Sequence, residues 1–145
     1  MKTLHFAISI NAPKENVWKA MLEPETYKAW TAEFTPGSYY EGSWNKGARI
    51  KFLAPGMEGM ISEIAENRKY EFISIKHLGI IKNGIEYTAS PEIKGWAPAF
   101  ENYTFTEQAG ITEVSVDMDT DEENEKMFEE IWPRALAKLK RICEK

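Results

Sequence analysis

Leu4, Phe6, Ile8 and Ile10 alternate with Thr3, His5, Ala7 and Ser9, the two-residue period of a half-buried strand. Asn11, Ala12 and Pro13 break the pattern, and Pro13 suits the first turn of a helix. Val17, Trp18, Met21 and Leu22 give that helix a short apolar face, and a second short helix, roughly 25–30, follows Pro24. From Phe34 to Met118 the pattern is a meander. Short apolar or alternating runs are separated by turn chemistry at Asn45-Lys46-Gly47, Pro55-Gly56, Glu66-Asn67-Arg68, Asn83-Gly84 and Gln108-Ala109-Gly110.

After Thr120 the period changes to three and four residues. Met127, Phe128, Ile131, Trp132, Ala135, Leu136, Leu139, Ile142 and Cys143 form a wide apolar stripe. Glu129, Glu130, Arg134, Lys138, Lys140 and Arg141 fill most of the opposite face. A helix from Thr120 to Lys145 would run about 36 Å, enough to lie across a whole sheet. Thr120 and Glu123 suggest a capping box, and Pro133 removes a donor inside the helix, predicting a kink around 129–132. The order is therefore one strand, two short helices, about six more strands and a long helix. Tight turns between successive strands imply an antiparallel sheet, which twists and curls as it lengthens.

Composition narrows the functional classes. A chain of 145 residues fits one domain, 1–145, with one core. Its net charge of −5 argues against nucleic-acid binding, which needs a basic footprint, and against docking on anionic lipid. No apolar stretch approaches the ~20 residues of a membrane-spanning helix, and no signal peptide is evident, so the cytoplasm is expected. The one cysteine, Cys143, reads as a buried thiol on the helix stripe. The acidic run from Asp117 to Glu125 reads as a solvated turn and helix start rather than a binding patch.

Ile10-Asn11-Ala12-Pro13, Val17-Trp18 and Trp30 resemble the START/Bet v 1-like superfamily. Gly42-Ser43-Trp44 with Gly47, His77-Leu78-Gly79, Gly84-Ile85-Glu86, Glu101-Asn102-Tyr103 and Trp132-Pro133 with Ala135-Leu136 and Leu139-Lys140 are similar to the Activator of Hsp90 ATPase homologue 1-like family. These pieces fall in order from residue 8 to the C-terminus. The resemblance implies an α+β helix-grip (Bet v 1-like) fold: a curved seven-stranded antiparallel sheet around a long C-terminal helix, with two short helices after the first strand and an enclosed cavity. It does not imply one activity. Relatives bind lipids, hormones and polyketides, some close aromatic rings, and the eukaryotic name-giver stimulates a chaperone ATPase.

No nucleophile elbow, phosphate-binding loop or metal-ligand cluster is present, and no cofactor is implied. The polar residues of interest are His77, Glu86, Glu101 and Tyr103. If their strand faces point inward, an imidazole, carboxylates and a phenol meet apolar walls, the recipe for a selective pocket. The plainer reading, with His77 and Glu86 at a hairpin end and Glu101 at the sheet rim, is preferred on the sequence alone. Trp132 divides evenly between core filler and cavity wall; the other tryptophans default to the core.

The reading ranked first is a protein that binds an apolar or amphipathic small molecule between sheet and helix. Phe128, Trp132, Leu136 and Leu139 would roof the site, Phe52, Tyr103, Phe105, Val114 and Val116 would floor it, and Trp30 and Phe34 would sit near one mouth. A partner-binding module related to chaperone ATPase activation ranks second, and a cyclase or hydrolase using Glu101 or His77 third. Either a monomer or a homodimer is compatible with these patterns.

Overall fold

A computed structural model describes residues 1–145, the side chain of Glu92 excepted. The elements are β1 (Lys2–Ile10), α1 (Lys14–Leu22), α2 (Pro24–Thr31), β2 (Tyr39–Gly42), β3 (Arg49–Ala54) and β4 (Glu58–Arg68). They continue with β5 (Phe72–Lys82), β6 (Ile85–Tyr87), α3 (Pro91–Lys94), β7 (Ala99–Gln108), β8 (Ile111–Thr120) and α4 (Glu122–Cys143). All strands join one antiparallel sheet in the order β1-β8-β7-β5-β4-β3-β2, with β6 pairing β5 beside this path. The N-terminal strand thus closes on the last strand of the meander, Leu4 opposite Met118 and Ile8 opposite Val114.

The sheet has one strand more than the seven expected. β5 is 11 residues long, and β7 pairs only its first half, Phe72 to His77. The three-residue β6 takes up Ile80 to Lys82, folding back through the tight turn at Asn83-Gly84. Gly79 permits this close return, because a Cβ there would lie 2.1 Å from the Tyr87 carbonyl oxygen. Gly42 is held at φ +126°, and a Cβ there would lie 2.5 Å from the Arg49 oxygen.

Two boundaries differ from expectation. The turn expected at Glu66-Asn67-Arg68 lies further on, because these residues pair in the ladder opposite Ser74, Ile73 and Phe72. Tyr70, at φ +69°, makes the reversal without a glycine. The helix cap is Asp121 rather than Thr120: Thr120 is still paired with Lys2, so its backbone remains extended. The Asp121 side chain accepts from the Asn124 backbone N–H at 3.0 Å. The four-residue α3 was not anticipated at all.

α4 runs through Pro133 as one 22-residue helix, and its two halves meet different surroundings. Ala135, Leu136 and Leu139 are at most 2% exposed and join one large core with α1, α2 and the strands. Burial of each large side chain contributes about 1.5–3 kcal/mol, so this half anchors the helix. Asn124, Met127, Phe128, Ile131 and Trp132 in the other half face open space instead.

Candidate functional site

The space under the first half of α4 is a pocket of about 740 Å³. α2 contributes Tyr27, Trp30 and Thr31, with Phe34 just beyond it. The sheet contributes Phe52, Ile75, His77, Glu101, Tyr103 and Met118, and the segment around α3 contributes Ile93 and Trp96. Trp132 is 2% exposed and is both core and wall. Its ring meets Phe34 edge-on at 4.9 Å and lies near Trp30, Phe6 and Tyr103, while its indole N–H contacts the Met118 sulfur at 2.8 Å.

Strand register assembles a polar unit inside these apolar walls. Ser62 lies directly opposite His77 on β4 and β5, the separation at which cross-strand side chains meet. Register shifts on either side of Ser62, between Ile61 and Ser62 and between Ile64 and Glu66, set this pairing. On the other side of β5, Ile75 faces Glu101 and His77 faces Ala99, so His77 and Glu101 are diagonal neighbours. Ser62 Oγ lies 2.7 Å from His77 Nδ1, and His77 Nε2 lies 3.1 Å from Glu101 Oε1. Tyr103, two residues from Glu101 on the same face, donates its hydroxyl to Glu101 Oε2. The His77 ring is stacked against Trp96 at 6.2 Å.

This geometry resembles a serine, histidine and carboxylate relay, but it does not present a nucleophile. Ser62 is fully buried between strands and does not line the pocket, whereas a nucleophile must reach its substrate. Ser62 anchors the imidazole. The ring is thereby held between the Ser62 hydroxyl at Nδ1 and the Glu101 carboxylate at Nε2, and toward a carboxylate, which only accepts, Nε2 is the donor. Glu101 therefore receives two donors and retains acceptor capacity toward the pocket.

Burial, and next the negative charge of Glu101, hold the Tyr103 hydroxyl well above the ordinary phenol range. The same two causes, in the same order, raise Tyr27. Tyr27 is 8% exposed, and its hydroxyl makes no hydrogen bond among the described residues. The hydroxyl is not sealed from solvent; the buried side-chain polar atoms left without a partner, among the described residues, are Trp44 Nε1 and Asn102 Oδ1.

Of the residues singled out in the sequence, the fold brings together Trp30, Phe34, Phe52, His77, Glu101, Tyr103, Phe128 and Trp132. His77 is 4% exposed, not the surface residue of the plainer reading. Glu86 stands apart: it is exposed on β6, with its carboxylate 3.4 Å from Lys51 Nζ. Phe105 packs edge-on against Trp18 at 5.2 Å, and Leu136 is sealed in the solid half; neither lines the pocket. Tyr27 and Ser62 escaped the sequence reading, and Asp119, Asp121 and Glu123, read there as part of a solvated turn and helix start, lie at the mouth of the pocket. Among the described residues no cluster of three His, Cys, Asp or Glu side chains could hold a metal ion. Among the described residues no helix is long and apolar enough to cross a membrane.

A curved antiparallel sheet gripping a C-terminal helix, with two short helices after its first strand, defines a Bet v 1-like helix-grip protein. The family model described as Activator of Hsp90 ATPase homolog 1-like protein matches residues 11–144, and the chain belongs to that family. Solved structures agree on the fold. A protein of Mesorhizobium loti superposes with a TM-score of 0.75 at 14% identity, over 97% of this chain and 95% of that one. The Aha1 dimer from Colwellia psychrerythraea gives 0.72 at 18% identity, covering 99% and 97%. A Cytophaga hutchinsonii protein gives 0.71 at 20% identity, covering 98% and 93%. No curated protein matches the chain.

Proposed function

We propose that this protein is a single-domain binder of an apolar or amphipathic small molecule, held in the pocket between the sheet and the first half of α4. The observation that carries the reading is the pairing of about 740 Å³ of largely aromatic-walled space with one deeply set polar unit, His77, Glu101 and Tyr103. Ligand sites commonly enclose about 300–1,000 Å³ with mostly apolar walls and a few polar anchors that fix orientation. Phe34 and Phe128 flank the opening, Trp30 and Trp132 form the inner wall, and Glu101 orients the ligand's polar end. The cytoplasm suits this role, since a lone thiol such as Cys143 stays reduced there.

The test is native mass spectrometry of protein purified from its own host, followed by thermal shift with the neutral probe N-phenyl-1-naphthylamine. A co-purified small molecule, or a saturable rise in Tm with the probe, is expected. A ligand-free mass and no shift at saturating probe would refute the reading.

The family's description favours a second reading, a partner-binding module that stimulates an Hsp90-type ATPase. Against it stands the pocket itself, whose enclosed apolar walls and deep polar unit suit a small molecule better than a protein surface. The expected result of a steady-state ATPase titration with the host chaperone is no stimulation. A saturable several-fold increase at micromolar concentration would make partner binding the primary function.

A further inference from the structure

The charge of the pocket narrows the ligand further, on the assumption that the small-molecule reading holds. Three carboxylates border it: Glu101 at its base, and Asp121 and Glu123 at its mouth, while Asp119 lies at the same mouth with its side chain on the outer face of β8, toward Thr3. No Lys or Arg lies among the lining residues, and His77, already engaged with Glu101, is the one basic side chain there. The N-terminus of α4 adds only about half a positive charge at that mouth, too little to balance the carboxylates around it. From this arrangement we infer that the pocket selects ligands with a cationic, amine-type head on an apolar body, and disfavours fatty acids and other carboxylates.

The details agree with that chemistry. Asp119 accepts from the Phe100 N–H at 2.9 Å and from the Thr3 hydroxyl at 2.7 Å, and Asp121 is committed to capping α4. The cap holds the Asp121 carboxylate at the entrance, whereas the Asp119 contacts turn its carboxylate to the outer face of β8. Glu101 has capacity for a further donor beyond His77 and Tyr103, and an ammonium group is a donor without acceptor capacity. Tyr27 lines the same space and carries a hydroxyl able to accept from such a head. The rings of Trp30, Trp96 and Trp132 offer electron-rich faces, which attract a cation most strongly when water is excluded. A carboxylate head would find three like charges and no fixed cation.

The test uses three probes that share one body: 2-naphthylethylamine, 2-naphthylethanol and 2-naphthylacetate, titrated by calorimetry at neutral pH. The amine is expected to bind about tenfold or more tightly than the carboxylate, with the alcohol between, a difference of about 1.4 kcal/mol. Glu101→Gln should lower the ratio of amine to alcohol affinity several-fold; the ratio cancels changes that affect both alike. Glu123→Gln, on the exposed rim, should lower it less, and it supplies a folded variant if Glu101→Gln is unstable. A carboxylate bound as tightly as the amine, or a ratio unmoved by either variant, would overturn the inference. Binding of the alcohol without any advantage for the amine would remove this inference alone. Failure of all three probes to bind folded protein would remove the small-molecule reading with it.

Discussion

Leu139→Ala and Phe128→Ala, on one helix, should have unequal costs, and the smaller truncation should do more damage. Leu139 is wholly buried in the packed half of α4. Its truncation removes apolar burial and leaves a closed void, charged at about 24 cal/mol per Å³, so the loss should fall near the middle of the 2–5 kcal/mol range for such changes. Phe128 is half-buried at the pocket edge. Removing its ring gives up roughly 60 Å² of burial beyond alanine, or ~1.5 kcal/mol at 25 cal/mol per Å². The space it vacates joins the existing pocket, so no closed void forms. With each kcal/mol shifting Tm by about 3–5 °C for a chain of this size, Leu139→Ala should melt roughly 10–15 °C lower and Phe128→Ala roughly 5 °C lower. Paired chemical denaturation with unchanged m-values is the check, because it separates stability from altered compactness. Equal losses, or a greater loss for Phe128→Ala, would refute the division of α4 into a packed half and a hollow half.

Deleting the chain after Asp119 should leave an insoluble or molten protein, because the core facing Trp132, Ala135, Leu136 and Leu139 loses its cover; a sharp melting transition near that of the intact chain would contradict this. In alkaline titration followed by tyrosinate absorbance, Tyr27 and Tyr103 should stay protonated while the folded state persists. Both hydroxyls are raised in the folded state, so their contribution to stability is intact below pH 10.0, their ordinary value, and is lost as pH rises through the folded values. Ionisation of Tyr27 and Tyr103 near that value, with structure retained, would show that neither ring is enclosed.

The order of elements was legible because each speaks in its own period: two residues for β1, three and four for α4. Glu101 and Tyr103 were legible as a pair because residues two apart share a strand face. Their meeting with His77 was not, since it depends on which strands are neighbours and in what register. Ser62 left still less trace. It is a small polar residue in an apolar run, and only the irregular pairing of β4 with β5 puts it opposite the imidazole. Glu86 misled for a related reason: the hairpin carries it beside Ile81 as expected, but β6 lies past the end of β7 and its side chain turns to Lys51. The acidic stretch before α4 looked solvated because its charges do face water. Its closeness to the pocket comes from α4 crossing the sheet, which no local pattern records.

On the small-molecule reading, the requirements of folding and of recognition occupy separate stretches of α4, with Pro133 next to the junction. Residues after it can be held constant while those before it change, so a lineage could exchange one ligand for another without renegotiating its stability. That separation offers one physical account of how a single architecture accommodates unlike small molecules. It also tells an engineer where to begin: randomise Met127, Phe128 and Ile131, and leave Ala135, Leu136 and Leu139 untouched.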